Sequence, residues 1–211
     1  VDDGSPDRAT SLELLQFLEY LGITSVWFTP HVMSDMQRNT TAYLTERFEV
    51  FQNYYKGPIR LHQAGEYMMD AQFTSKLPAE VLPLGKNHLL VETSYMLPPV
   101  GMKEILASVK QNGYFPVIAH PERYTYMDMD DYRRLYSTDG YRLQLNLMSL
   151  SGYYGPGARH AAESILAEGM YSYVGSDLHH LERYAPMLES MKLTSEQLDA
   201  FSILIANNET I

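Results

Sequence analysis

One pattern, written four times along this 211-residue chain, constrains what the sequence can fold into. Each copy has a glycine after a predicted helix, then an apolar run, then polar residues. Glycine suits the left-handed conformation in which many helices end, because it has no Cβ that would clash. Such apolar runs are typical of parallel strands buried on both faces. The copies are residues 22–31, 113–120, 140–146 and 169–179. They predict an α/β fold built on a parallel sheet.

Hydrophobic periodicity predicts the elements around these copies. Helices are expected at residues 6–21, 40–55, 100–112, 129–137, 158–168 and 195–206, and further strands at 59–68 and 89–93. This alternation favours parallel strands with right-handed crossovers. The length fits one domain, residues 1–211, and is short for a closed eight-unit barrel of about 250 residues.

The composition argues against several classes of protein. The sequence has no cysteine, which excludes disulfides, thiolate metal sites and a cysteine nucleophile. A net charge of −10 argues against nucleic acid as a partner, because such binding rests largely on Lys and Arg. No run approaches the roughly 18 apolar residues of a membrane span, and no signal peptide is visible. We therefore expect a cytoplasmic protein without membrane insertion.

Histidines and acids at the strand ends are the candidates for chemistry. The carboxyl ends of strands in barrel-like α/β folds converge, so His31, His120, Asp177 and His179 are expected to meet. Carboxylates within apolar runs need a partner or a metal to justify their burial. The residues of that kind are Glu66 and Glu92. This set of oxygen and nitrogen ligands without sulfur suits manganese, iron, zinc or magnesium.

The same residues also have structural interpretations. Asp177 could cap a helix and leave His179 exposed. Glu92 could pair with a buried Arg or Lys. Arg123 could receive a phosphate, whose geometry the guanidinium matches, or could pair with a neighbouring acid. Asp3 could be a metal ligand or a turn acid, and from the residues alone the turn is favoured. The remaining histidines, His62, His88, His160 and His180, are left out of the predicted metal site.

Taken together, the motifs resemble the PHP (polymerase and histidinol phosphatase) superfamily. Within it they resemble the bacterial protein-tyrosine phosphatases encoded with capsule and exopolysaccharide genes. The matching segments follow the family order along nearly the whole chain, and Arg183 follows the last of them. They are Asp2-Asp3-Gly4-Ser5, Thr29-Pro-His31, Gly65-Glu66, Leu90-Val-Glu92, Val117-Ile-Ala-His-Pro-Glu-Arg123, Leu145-Asn146 and Ser176-Asp-Leu-His179.

The resemblance implies a distorted TIM-like (β/α)7 barrel with a trinuclear centre of divalent metals, usually manganese. It implies phosphate-binding arginines at Arg123 and Arg183. The implied metal ligands are Asp3, His31, Glu66, Glu92, His120, Asp177 and His179. The implied reaction is hydrolysis of phosphotyrosine on a protein, namely the tail of a capsule-type tyrosine kinase, and an oligomer is compatible with it. The expected mechanism is direct attack in line by a hydroxide that bridges the metals.

Two departures from the family pattern bear on this expectation. The family begins with a strand carrying His-x-His just before the Asp-Asp-Gly-Ser turn, and this chain begins at Val1 without that strand. Val32 stands where relatives often carry a second histidine. The missing strand makes a metal-poor and inactive interaction module one alternative. The enzymatic alternative is a small-molecule phosphoesterase such as a histidinol phosphatase.

Overall fold

The computed structural model describes Ser5 and residues 7–211. Its helices are α1 (Arg8–Tyr20), α2 (Thr41–Tyr54), α3 (Met102–Gln111), α4 (Met129–Arg133), α5 (Pro156–Ala167), α6 (Leu181–Ser190) and α7 (Ser195–Asn208). Its strands are β1 (Ser25–Phe28), β2 (His31–Val32), β3 (Arg60–Gln63), β4 (Glu66–Met68), β5 (His88–Glu92), β6 (Phe115–Ala119), β7 (Arg142–Asn146) and β8 (Tyr171–Gly175). The predicted alternation of strands and helices is confirmed.

Parallel pairing organises the sheet. Within the described part of the chain, six strands pair in the order β2-β4-β5-β6-β7-β8, and β1 pairs with β3. Every one of these neighbouring pairs is parallel, as the sequence predicts. The four glycines of the repeated pattern all have left-handed backbone angles, with φ between 66° and 86°. Each follows closely on the end of α1, α3, α5 or the helical turn that ends at Thr138.

The predicted strand at residues 59–68 is broken into β3 and β4. The break lies at Ala64 and Gly65, beside the Thr29-Pro30 break between β1 and β2. Hydrogen bonds from the Ala64 N–H to the Phe28 carbonyl (2.9 Å) and from the Glu66 N–H to the Pro30 carbonyl (3.0 Å) continue the pairing across it. A Cβ on Gly65 would lie 2.8 Å from the ring of Tyr67, so the bend requires glycine.

The two faces of the sheet bury different cores. On β5, Leu89 and Val91 pack with Ile118 of β6 in the large core under the helices. Leu90 points the other way and packs with Val117 and its neighbours in a small cluster on the inner face. Side chains two residues apart on a strand share a face, so Glu92 lies above Leu90 on the inner face. A polar site therefore forms at the carboxyl ends of the strands, above an apolar interior.

The sheet curls so that its two edges approach each other at this end. His31 lies on the edge strand β2 and His179 follows the other edge strand β8, yet their rings are 6.2 Å apart between centroids. Among the described residues, no strand pairing joins β2 to β8, so the paired part of the sheet is open. The arrangement is an α/β fold around a curved parallel sheet.

Helix α6 was not predicted from the sequence. It contains Pro186, which removes one backbone hydrogen bond from the helix interior and usually indicates a break. Its inward side chain is Tyr184, which is buried and whose ring meets that of Phe17 on α1 edge to face at 6.4 Å. None of the helices in the described ranges has the length and apolar character needed to cross a bilayer.

Candidate metal and phosphate site

The centre of the site is a buried cluster of two carboxylates and an imidazole. Glu66 opens β4, Glu92 ends β5 and His120 follows β6, so three adjacent strands deliver one residue each. His120 Nε2 lies 3.0 Å from Glu66 Oε1 and 3.7 Å from Glu92 Oε2. Potential ligand atoms of all three lie within 4.8 Å of one another. We call these residues the Glu-Glu-His cluster.

His31 extends this cluster toward the edge of the sheet. Its register partner across β2 and β4 is Glu66, which places both side chains at the same level. His31 Nε2 lies 3.9 Å from Glu66 Oε2 and 3.6 Å from Glu92 Oε1. Two imidazoles therefore face the same two carboxylates.

The charges in this cluster fit a divalent cation. Burial and the adjacent charge of Glu66 raise the pKa of Glu92 to about 7. Burial alone would lower the pKa of His120, but the hydrogen bond and charge of Glu66 outweigh it and raise that pKa. Among the described residues, the buried atoms Glu92 Oε1 and His120 Nδ1 have no hydrogen-bond partner. A cation would offset the charge of two crowded carboxylates and would coordinate Glu92 Oε1, a buried atom that is otherwise costly to leave without a partner.

A third acid, Asp177, lines the pocket after β8. Asp177 Oδ2 accepts hydrogen bonds from Asn146 Nδ2 (2.7 Å), Tyr154 OH (3.1 Å) and Arg123 Nη1 (3.0 Å). Its other oxygen, Oδ1, lies 3.3 Å from His179 Nδ1. Burial alone would raise the pKa of Asp177, but the charges of His120, His179 and Arg123 and the hydrogen bond from Tyr154 outweigh it and lower that pKa. The group is therefore held as a carboxylate.

Backbone strain marks two of the candidate ligands. His120 has a φ of 34° and Asp177 a φ of 48°, both in the left-handed region that side chains with a Cβ avoid. Such a conformation costs on the order of 1–3 kcal/mol and persists where surrounding contacts impose it, often at functional sites. His120 directly follows β6, Asp177 lies two residues beyond the end of β8, and both line the pocket.

Arg123 lies over the pocket between aromatic side chains. Its guanidinium carbon is 4.2 Å from the ring centre of Tyr95 and 4.0 Å from that of Tyr154. We call these two rings the tyrosine clamp. The acid next to Arg123 in sequence, Glu122, is turned away and accepts hydrogen bonds from the Ser149 hydroxyl at 2.7 Å and from other buried donors. Arg123 thus pairs with Asp177 rather than with its sequence neighbour.

These groups surround a pocket of about 200 Å³. Its walls combine imidazoles, one guanidinium, one carboxylate and phenol rings. The lining residues are His31, Tyr95, His120, Arg123, Tyr153, Tyr154, Asp177, His179, His180 and Tyr184. The Glu-Glu-His cluster forms its floor through His120.

A family model described as capsular polysaccharide synthesis, CpsB/CapC, matches residues 1–210. The chain belongs to this family. The match confirms the resemblance to capsule and exopolysaccharide phosphatases that the sequence motifs indicated.

Two curated relatives of this CpsB/CapC chain are identified as tyrosine phosphatases. The tyrosine-protein phosphatase YwqE of Bacillus subtilis is 24% identical over 188 residues, which cover 86% of this chain and 74% of YwqE. CapC of Staphylococcus aureus, provisionally named a tyrosine-protein phosphatase, is 23% identical over 232 residues, with 100% and 89% of the two chains covered.

A solved structure matches the fold with a TM-score of 0.78 at 22% identity, over 98% of this chain and 90% of the other. It comes from crystal structures of YwqE from Bacillus subtilis and CpsB from Streptococcus pneumoniae, described as unique metal-dependent tyrosine phosphatases. At this identity the likeness confirms the architecture of the CpsB/CapC chain. The roles of its individual residues stay predictions.

The structure brings most of the predicted site residues together. Six of the seven predicted metal ligands meet at the pocket or its floor, and Asp3 lies outside the described residues. Arg123 lines the pocket, whereas Arg183 is exposed on α6 and is not among the lining residues. The phosphate-binding role of Arg183 stays a prediction. His180, which was left out of the predicted site, lines the pocket.

Sequence reasoning missed the residues that orient Arg123 and Asp177. Tyr95 is not among the predicted site residues, although it lies three residues beyond Glu92 in a strand-end loop. Tyr153 and Tyr154, in the loop at residues 151–157 that follows β7, also line the pocket. The available signal for these tyrosines was their position in loops that follow strands, where site residues converge. It could not indicate which ring contacts which side chain.

Proposed function

We propose that this chain is a metal-dependent phosphatase that hydrolyses phosphotyrosine in proteins. The observation that carries the proposal is the buried Glu-Glu-His cluster lying beside Arg123 at one pocket. Such a site can hold cations and a phosphate side by side. The family membership and the two tyrosine-phosphatase relatives support the same reaction.

The metal ligands that we propose are the seven residues predicted from the sequence. The Glu-Glu-His cluster would hold one cation together with His31, and Asp177 and His179 face it across the pocket. By resemblance, Asp3 joins them. We propose manganese, which the resemblance implies, and the donor set also suits iron, zinc or magnesium. Bound divalent metals would lower the pKa of water and so supply the attacking hydroxide.

The side chains of the pocket would bind and orient the phosphate. Arg123 offers N–H donors to the equatorial oxygens, whose charge the transition state spreads, and its own charge is permanent. Arg183 is proposed as a second donor. The leaving phenolate needs little help, because the pKa of tyrosine is near 10. Because the sequence has no cysteine, a cysteinyl-phosphate intermediate is excluded.

We further propose a protein substrate, the tail of a bacterial tyrosine kinase, and a cytoplasmic location. The pocket is open, and the loop at residues 94–101 beside it carries exposed apolar side chains that a polypeptide could contact. We also propose that residues 1–211 form one domain and that its curved sheet is a distorted (β/α)7 barrel. The close approach of His31 and His179 from its two edge strands supports that closure.

The test is hydrolysis of p-nitrophenyl phosphate and of phosphotyrosine peptides by the full-length protein with manganese. We expect activity that a chelator abolishes and that added manganese restores. Glu92→Gln should be inactive with retained folding. Activity that survives thorough chelation and metal analysis would contradict the proposal. A strong preference for histidinol phosphate over phosphotyrosine would instead identify a small-molecule phosphoesterase.

A further inference from the structure

The tyrosine clamp is built from parts of the chain that are distant in sequence. Tyr95 lies in the loop after β5, Tyr154 in the loop before α5, and Arg123 in the turn after β6. The Tyr95 loop is fixed to the segment beyond Arg123, because the Thr125 N–H and hydroxyl both donate to the Tyr95 carbonyl at 2.8 and 2.9 Å. The tertiary fold, rather than local sequence, therefore brings the two rings and the guanidinium together.

The tyrosine clamp leaves the edge of the guanidinium, which carries the N–H donors, available for hydrogen bonds. A ring that stacks on a guanidinium uses its flat face, whereas the N–H donors all point outward in its plane. Arg123 Nη1 donates to Asp177, and its side chain is 15% exposed at the pocket. The rings thus restrict the rotation of a long side chain without consuming its donors.

Tyr154 has a second contact that links Arg123 to the acid side of the pocket. Its hydroxyl donates to Asp177 Oδ2 at 3.1 Å and accepts from Asn146 Nδ2 at 3.1 Å. One ring therefore touches both the guanidinium and the carboxylate with which it pairs.

We propose that Tyr95 and Tyr154 are positioning residues that hold the Arg123 guanidinium, before substrate arrives, in the orientation that binds the phosphoryl oxygens. This inference rests on the proposed function, since it assigns a role to groups around the same pocket. An arginine held in advance loses less conformational entropy when the phosphate binds, so the affinity for phosphate is higher. The rings act through Arg123 and need no contact with the substrate.

The experiment uses full-length protein with manganese and measures two quantities besides kcat. These are the KM of a phosphotyrosine peptide and the inhibition constant of inorganic phosphate. The variants are Tyr95→Leu, Tyr154→Leu, the corresponding phenylalanine variants, and each leucine variant and Tyr154→Phe combined with Arg123→Ala. The matched control is Tyr54→Leu on α2, which removes an Arg–Tyr contact (Arg8, 5.3 Å) far from the pocket.

We expect each leucine variant to raise KM and the phosphate inhibition constant by about two- to thirtyfold, the range that a cation–π contact supplies. The kcat should change less than about threefold, because ground state and transition state lose the same contact. Tyr95→Phe should retain wild-type constants, since the ring remains. In the Arg123→Ala background Tyr95→Leu should add nothing, because the group through which the ring acts is gone. Tyr154→Leu should add no more there than Tyr154→Phe, which loses only the hydroxyl contact with Asp177.

Two results would overturn the inference while leaving the proposed function intact. One is a phosphate inhibition constant unchanged in both leucine variants of an active enzyme. The other is a full additional loss in the Arg123→Ala background, which would make the tyrosines structural or direct contacts. A leucine variant that does not fold is replaced by methionine, which fills irregular space. A wild-type protein without phosphatase activity would instead refute the proposed function itself.

Discussion

A carboxylate with a shifted pKa links metal binding to pH. Glu92 must lose its proton to bind a cation, and burial with the charge of Glu66 raises its pKa to about 7. Below that pKa a proton competes with the metal, whereas above it the competition ends. We therefore expect manganese affinity to fall by about tenfold per pH unit as the pH decreases below 7. Calorimetric titration at pH 8, 7 and 6 measures it.

Glu92→Gln is the control for this prediction, because glutamine cannot take up the proton. Its affinity should be weak at every pH and should have a smaller pH slope. Manganese affinity in the wild type that is constant from pH 8 to pH 6 would contradict the shifted pKa. A decrease of equal slope in both proteins would assign the competing proton to His120 or His31 instead.

Arg123 lines the pocket, whereas Arg183 is exposed and is not among the lining residues. Substituting each arginine tests whether it binds the phosphate. Removal of one charge-stabilising donor typically costs about 10²–10³ in rate. We expect Arg123→Ala and Arg183→Ala in the full-length protein to lose about that much kcat/KM with metal content and folding retained. Steady-state kinetics, metal analysis and circular dichroism provide the three measurements. Because Arg123 pairs with Asp177, loss of metal in Arg123→Ala would mean that its role is to hold that carboxylate.

At the scale of elements, the loop between β5 and α3 offers a test of whether the substrate is a protein or a small molecule. Residues 94–101 carry no charge, and Leu97 is 70% exposed beside the pocket. Partial burial of one such side chain by a peptide contributes about 1 kcal/mol, or roughly fivefold in affinity. We expect Leu97→Ser to lower kcat/KM about three- to tenfold for a phosphotyrosine peptide with apolar neighbours. The kcat/KM of Leu97→Ser for p-nitrophenyl phosphate should equal that of the wild type.

Ile203→Ser on α7 is the matched control, since Ile203 is 62% exposed and is not among the pocket's lining residues. That variant should keep wild-type kinetics on both substrates. Equal losses on the peptide and on p-nitrophenyl phosphate in Leu97→Ser would show a general disturbance of the pocket. Unchanged peptide kinetics would argue for a small-molecule substrate.

The elements differ in how far sequence could predict them. Strand β6 and helix α3 follow from an apolar run and a 3.6-residue period that local physics fixes, and Gly113 marks the boundary between them. The break at Gly65 and the helix through Pro186 could not be predicted in this way, because packing against Tyr67 and through Tyr184 decides them. Local pattern locates strands and their ends. Tertiary contacts decide bends.

The same distinction between local pattern and tertiary contacts applies to the residues of the site. That His120 and Glu92 face one pocket follows from parallel strands, whose carboxyl ends meet. That Tyr154 would contact both Arg123 and Asp177 depends on how three loops fold over those ends. Loop conformation is set by side-chain contacts at long sequence separation, and no period along the chain encodes it.

At the scale of the whole molecule, the site lies where the curved sheet brings its edges together. His31 is on β2 and His179 follows β8, with ring centroids 6.2 Å apart. A metal held from both sides would tie the two edges as a cross-link does. Metal binding to the native state alone also stabilises it by mass action. Manganese should therefore act on the fold as well as on the chemistry.

We expect manganese at a hundredfold excess over its Kd to raise the free energy of unfolding by about 2.7 kcal/mol. For a chain of this length that corresponds to a rise in Tm of about 5–10 °C, measured by calorimetry with and without chelator. Hydrogen exchange should slow most in β2 and β8, because the metal joins these edges. His31→Ala should lose much of both effects, whereas His160→Ala, an exposed histidine of α5, should retain them. Protection from hydrogen exchange that increases evenly over all strands would show that the metal does not bridge the two edges of the sheet. An unchanged Tm would show that the metal does not stabilise the folded state.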